Sequence, residues 1–176
     1  MADTHHEHVH DHGQNPRFCS HCGGTLEYRR INDDGPERNV CTACRCIFFE
    51  DPKVAACTLP IIDGKIVLLK RGIEPGYGKW VYPGGFMDRG ERVEDAAIRE
   101  TLEECNLKVA IKRLLNVYSY TGHPTVIVVY LVNVVGGTLK AMDETLVAET
   151  FSADEIPWNE LAFDSTRDAL REYLSL

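Results

Sequence analysis

Four glutamates and one arginine stand at fixed intervals between Gly85 and Leu107: Glu91, Arg99, Glu100, Glu103 and Glu104. On a helix of about 3.6 residues per turn, Glu100 and Glu104 share a stripe with Glu103 beside it. Like charges at that spacing repel by roughly a few tenths of a kcal/mol per pair. Such crowding marks either a solvated acidic face or a place where positive charge is expected. Pro83-Gly84-Gly85 precedes the helix, and glycine lets backbone approach a ligand closely. Hard carboxylate oxygens favour Mg²⁺ or Mn²⁺, ions that bridge protein groups to substrate phosphates.

A second set of chemical residues lies upstream. Cys19-x-x-Cys22 and Cys41-x-x-Cys44 are separated by eighteen residues, the spacing of a four-thiolate zinc site. Each knuckle aims two thiolates at one tetrahedral ion, and the intervening hairpin brings the pairs together. A four-thiolate site has no open coordination position, so one structural Zn²⁺ per chain is expected. Cys46 is separated from Cys44 by one residue, which is wrong for a knuckle, and His21 is expected to point away. Arg17, Arg29, Arg30, Arg38 and Arg45 are offset by Glu27, Asp33, Asp34, Glu37 and Glu50, so this segment shows no basic patch.

These groups need elements to position them. Val93–Cys105 has helical spacing, with Val93, Ala96, Ala97, Thr101 and Cys105 on one face. Val54–Leu59 and Lys65–Leu69 are predicted strands of a hairpin around Ile62-Asp63-Gly64. A short strand KWVY leads into Pro83-Gly84-Gly85. Lys108–Tyr118 and Val126–Val134 follow as strands, the latter apolar enough to be central. Gly136-Gly137 reads as a turn, Glu149–Phe151 as a short strand, and Ser165–Leu174 as a closing helix. The alternation implies an α/β fold, a mixed sheet packed between helices.

At 176 residues and 44% hydrophobic composition, one domain with a small appendage is expected. A formal net charge of −8 argues against anionic membranes and makes nucleic acid unlikely as a partner. The first residues lack a basic and an apolar signal-peptide region and no run is long enough to span a membrane, so a cytoplasmic location is expected. Seven cysteines suit a metal site plus spare buried thiols better than a disulfide framework. Residues 1–16, with His5, His6, His8, His10 and His12, read as a disordered tail.

Gly85, five residues, Glu91, seven residues, then Arg99-Glu100-Thr101-Leu102-Glu103-Glu104 resembles the signature of the Nudix hydrolases. Thr101 stands where a larger aliphatic is usual and is expected to loosen packing. Asn106 stands where glycine is usual and still suits the left-handed end of a helix. With the cysteine segment and the stretch KWVYPGGFMDRGE, the chain is similar to the ribbon-bearing group that includes NADH, ADP-ribose and FAD pyrophosphatases.

The resemblance implies an α/β/α sandwich over residues 51–176, preceded by a zinc ribbon over 17–50. It implies Mg²⁺- or Mn²⁺-dependent hydrolysis of a small-molecule nucleoside diphosphate linked to another group. Glu100, Glu103, Glu104 and the Gly85 carbonyl would hold the ions, and Glu91 and Arg99 would form a supporting ion pair. The general base is one of the helix glutamates or a later one, Glu144 or Glu149, with Glu149 preferred. The stretch typical of NADH pyrophosphatases does not follow Leu107, and Pro124 lies near but not on a position often occupied in ADP-ribose pyrophosphatases. ADP-ribose or FAD is therefore favoured, with AMP as product and Tyr118, Tyr120 and His123 as candidate base or ribose contacts. NADH or another dinucleotide, and a non-catalytic module that senses a nucleotide or binds nucleic acid or a partner, stay open. So does the oligomeric state, a homodimer included.

Overall fold

The computed structural model describes residues 16–176, and the histidine tract lies outside them. The chain forms two compact units, one ending at Asp51 and one beginning at Pro52.

The first unit is an antiparallel sheet of β1 (Leu26–Arg30), β2 (Glu37–Cys41) and β3 (Ile47–Phe48), in that spatial order. Two tight turns carry the cysteines. In the first, Gly23 N–H donates to Cys19 O at 2.8 Å, and in the second Arg45 N–H donates to Cys41 O at 3.0 Å. Both turns end in the left-handed region, at Gly23 (φ 73) and at Arg45 (φ 58). Glycine adopts that conformation freely, whereas arginine does so at a cost.

The second unit contains β4 (Lys53–Leu59), β5 (Ile61–Ile62), β6 (Lys65–Arg71), β7 (Trp80–Val81), β8 (Gly84–Phe86), α1 (Val93–Cys105), β9 (Leu107–Ser119), β10 (Thr125–Gly137), β11 (Thr145–Phe151) and α2 (Asp164–Leu174). One sheet is mixed, ordered β8-β4-β10-β9, with β10 parallel to β4. The other, β11-β6-β5 with β7 also on β6, is antiparallel.

Side chains alternate across a strand, and here the alternation divides the interior in two. Cys57, Leu59, Ile66, Leu68, Val129 and Leu131 join Ala169 and Leu170 of α2. Ala56, Val67, Leu69, Tyr130 and Val132 join Ala96, Ala97 and Cys105 of α1. The sheets thus form one layer between two helices, the expected α/β/α sandwich. Each wholly buried leucine, such as Leu59, Leu68 or Leu170, contributes about 2 kcal/mol of apolar burial.

Helix α1 has the bounds that its periodicity predicts, and Glu94 and Asp95 in its first turn suit the positive end of the helix dipole. It ends on Asn106 at φ 57, whose N–H reaches Leu102 O. Two local readings are corrected. Asp63-Gly64 does form a two-residue turn, but the hairpin joins β5 to β6, because the chain passes at Pro60 from the mixed sheet into the antiparallel one. Gly136 and Gly137 continue β10 opposite Lys108 and Leu107. There the bare Gly137 backbone passes so close to Asn106 O that a β-carbon would clash. Among the described residues no helix is long and apolar enough to cross a membrane.

Candidate active site

Helix α1 is set against the mixed sheet by a buried polar contact. Thr101 and Thr58 of β4 are both fully buried, and their hydroxyls lie 2.6 Å apart while Thr101 Oγ1 donates to Ala97 O at 2.7 Å. Thr101 therefore does not loosen the packing, as a threonine replacing an aliphatic would suggest. It finds a partner on the strand below.

This places the carboxylate stripe over β8. Gly84 N–H donates to Glu104 Oε2 at 2.8 Å. A β-carbon on Gly85 would stand 2.5 Å from Glu100 Oε2, and one on Gly84 2.5 Å from Cys57 Sγ. The two glycines thus let backbone lie flat between the strand and two carboxylates. Cys57, a spare thiol by sequence, forms the floor. Its pKa is raised by burial and then by Glu104 and Glu100, so it stays neutral.

Arg99 occupies the middle of the acidic cluster. Its Nε and Nη2 each donate to Glu91 at 2.9 Å, a bidentate grip. Nη1 donates to Glu100 Oε1 at 2.6 Å and to Glu103 Oε2 at 3.0 Å, and Nη2 also reaches Phe86 O at 3.3 Å. Hydrogen bonds from Arg99 and from the Asp88 N–H hold the Glu91 carboxyl down to about 2. Burial has the opposite effect across the stripe: it raises Glu100 against the pull of Arg99. It raises Glu104 to about 7, opposed by the Gly84 N–H and reinforced by Glu100. One guanidinium serves three carboxylates, and Glu104 is left to the Gly84 N–H.

The segment between β10 and β11 docks on the end of this helix. Lys140 N–H donates to Cys105 O at 3.2 Å and Met142 N–H to Glu104 O at 3.0 Å, satisfying carbonyls that a helix end leaves free. Gly72 N–H donates to Glu144 O at 2.6 Å, and any β-carbon on Gly72 would collide with that oxygen. Glu144 is thereby brought near Glu104, whose carboxyl feels its charge together with that of Arg71.

In the first unit the sulfurs of Cys19, Cys22, Cys41 and Cys44 all lie within 4.8 Å of one another. Cys19 and Cys44 are 3.7 Å apart and Cys22 and Cys41 3.5 Å, close to the ~3.8 Å separating two thiolates on a tetrahedral zinc with bonds of about 2.3 Å. Backbone N–H groups face the sulfurs, His21 to Cys19 at 3.3 Å and Cys44 to Cys41 at 3.4 Å. The latter leads the effects that lower Cys41 to about 6, while against the Cys46 N–H the neighbouring sulfurs push Cys44 up to about 12, so Cys41 is the thiol that most readily supplies the thiolate a metal requires.

The NUDIX domain profile matches residues 51–173, and the profile of the Nudix N-terminal zinc ribbon matches 17–50. The chain is a Nudix hydrolase. An ADP-ribose pyrophosphatase of Methanocaldococcus jannaschii is 39% identical over 128 residues, covering 70% of this chain and 73% of that one. A NAD-capped RNA hydrolase, NudC of Vibrio atlanticus, is 26% identical over 147 residues, 82% of this chain but only 52% of the relative. The crystal structure of a NUDIX hydrolase from Nitrosomonas europaea superposes with a TM-score of 0.86 at 36% identity, covering 91% of each chain. The cysteine quartet is thus that of a Nudix zinc ribbon.

Not every residue singled out by sequence belongs with this hydrolase's carboxylate helix. Glu149 lies between Val147 and Phe151 in register on β11, where alternation turns its side chain toward the α2 side and away from Ala148, which packs on the α1 side. Glu144 belongs instead to the docked loop, and its charge is felt by Glu104. Tyr118 OH donates to Glu172 and Tyr120 OH to Asp168, at 2.8 and 2.7 Å, which ties both rings to α2. His123 sits edge-on to Tyr120, 6.4 Å between centroids. The docked loop had no signal in periodicity, and only the glycine at position 72 hinted that backbone comes close there.

Proposed function

We propose that this Nudix hydrolase cleaves the pyrophosphate bond of a nucleoside diphosphate that carries a second group, with ADP-ribose the leading substrate and FAD the next, releasing AMP. The observation that carries the reading is the pair of shielded carboxylates, Glu100 and Glu104, pressed against the Gly84-Gly85 backbone. The substrate class is supported by the resemblance to the archaeal ADP-ribose pyrophosphatase.

The residues fit a magnesium or manganese ion. Burial has raised two carboxyls, Glu100 and Glu104, of which only Glu100 is paired with the guanidinium, so the site is rich in hard oxygen and short of positive charge. Glu100, Glu103, Glu104 and the Gly85 carbonyl would hold the ion, which supplies Lewis acidity and offsets the charge of the pyrophosphate. Glu104 must release its proton to become a ligand. Arg99, anchored by Glu91, can yield its Nη1 contacts to Glu100 and Glu103 while keeping its bidentate grip, so helix and loop stay in register. Glu144 is the proposed base, accepting a proton from the attacking water at its carboxylate. A dinucleotide such as NADH is the second reading, favoured by the similarity to NudC.

The test is a panel of ADP-ribose, FAD, NADH, diadenosine polyphosphates and nucleoside triphosphates, with Mg²⁺ or Mn²⁺ and product analysis. ADP-ribose plus water should give AMP and ribose 5-phosphate faster than any other compound is turned over. Release of inorganic pyrophosphate from triphosphates, with ADP-ribose and FAD intact, would overturn the reading.

A further inference from the structure

The ribbon contains five arginines and five acids between Arg17 and Glu50, an even count that conceals how the sheet sorts them. Directly opposed residues of antiparallel strands point to the same face. The register pairs Arg29 with Arg38, Glu27 with Val40, and Val40 with Ile47, so these five side chains share one face. Phe49 belongs to it as well, since the Arg38 guanidinium lies 4.5 Å over its ring. Arg45 joins from the second cysteine turn, lining with Glu27, Arg29, Val40, Cys41 and Thr42 a concavity of about 320 Å³.

The acids other than Glu27 go elsewhere. Glu37 opposes Arg30 on the other face. Glu50 accepts a hydrogen bond from Asn39, which also belongs to that face. Asp33 and Asp34 sit in the hairpin turn. Three arginines therefore share a face with one glutamate. No ion pair among the described residues involves any of them. Arg29 beside Arg38 is a like-charged cross-strand pair, an arrangement that costs stability and that an anion would relieve.

We infer that this ribbon face binds single-stranded nucleic acid, with Arg29, Arg38 and Arg45 on successive phosphates and Phe49 as a stacking platform for a base. Guanidinium forks match phosphate oxygens, and an exposed ring accepts any base on its open side. Phe49 is 63% exposed and already carries a guanidinium stacked on it. An acidic peptide would engage the arginines and leave that ring without a partner, which favours the nucleic acid. The formal net charge of −8 repels a polyanion at long range, so contact is short-ranged and the three arginines set its salt dependence.

The test is fluorescence anisotropy of oligo-uridine and oligo-thymidine strands of about ten nucleotides with the zinc-loaded full chain and no added divalent ion. Three phosphate contacts on a single strand predict a slope of about −2 in log K against log salt between about 50 and 200 mM. Arg29→Ser with Arg38→Ser should flatten the slope to about −0.7, because one contact remains. Phe49→Ala should weaken binding roughly tenfold at unchanged slope, because stacking releases no counterion. Both variants should retain wild-type zinc content and nucleotide hydrolysis. Absence of binding at the lowest salt would overturn the inference, as would variant slopes and affinities equal to wild type. Displacement of the strand by an equal concentration of polyglutamate would also overturn it and assign the face to an acidic protein.

Discussion

The ribbon and the α1 helix arrange their chemical side chains, the cysteine quartet and the carboxylates proposed as metal ligands, in opposite ways. In the ribbon, four cysteines converge to sulfur separations near those of a tetrahedral ion; among the described residues this is the only set of three or more ligating side chains gathered within 4.8 Å. The turns do this locally, with backbone N–H groups aimed at sulfur. On α1 the carboxylates stay apart, and Arg99 stands between Glu91, Glu100 and Glu103. The ribbon site is built to close around one ion and keep it. The carboxylate stripe keeps its oxygens available but balanced by a guanidinium, which suits the proposed role of holding an ion that arrives with a substrate. The crowding of Glu100, Glu103 and Glu104 is thus relieved partly by Arg99, before any cation enters.

The comparison breaks most visibly in the ribbon. Replacing Cys19 and Cys41 by Ala should reduce zinc from one ion per chain to almost none and unfold that unit, since structural zinc contributes about 10–16 kcal/mol in small folds. Elemental analysis and amide exchange, on proteins lacking the histidine tract, check both effects. Zinc retained by the double variant would reassign the site.

Next in size is the catalytic effect. Glu103→Gln keeps size and helix propensity but removes a ligand charge, so kcat should fall roughly 100-fold or more while the fold survives. Glu100→Gln and Glu104→Gln should do the same. Turnover beside melting curves in EDTA decides it, and wild-type rates in all three would leave only an acidic surface.

A smaller effect separates two carboxylates of the same site by the sign of their pH dependence. Glu104 rises from 4.5 to about 7 on folding, so the folded state binds more protons in that interval and metal-free stability falls as pH rises through it. Glu104→Gln should therefore stabilise the metal-free protein at pH 8, by about 1–3 kcal/mol, and make no difference near pH 4. Glu91 is lowered to about 2. Its contribution is present above about 4.5 and is lost as pH falls through 2, so Glu91→Gln should destabilise at neutral pH and become neutral in strong acid. Denaturant midpoints across pH test the pair, and matching signs would refute the contrast.

The smallest effect concerns how α1 is anchored. Thr101→Val leaves the Thr58 hydroxyl buried and unpaired, at a cost of about 1–3 kcal/mol. The double Val variant should cost less than the two single changes together, by about 1 kcal/mol. Strict additivity in that cycle would show that the 2.6 Å contact carries no coupling.

Much of this was legible in the sequence because it is encoded at short range. The bounds of α1 follow from the spacing of Ala96, Ala97, Thr101 and Cys105, its end from Asn106, and the cysteine quartet from two knuckles. The α/β/α layering follows from strand alternation and the two amphipathic helices. Tertiary structure decided what depends on residues distant in the chain. Pro60 sends β4 and β6 into different sheets, a matter of pairing partners that local pattern does not specify. The charge of Glu144 reaches Glu104 because loop backbone caps the end of α1, and Thr58 is satisfied only because Thr101 faces it across the core. The ribbon arginines read as neutralised when counted along the chain, yet strand register places Arg29 and Arg38 on one face, where Arg45 joins them from a turn, and leaves most of the acids off it. Composition is a sum over residues, whereas a surface is set by the direction in which each side chain points, and that direction exists only once the strands have paired.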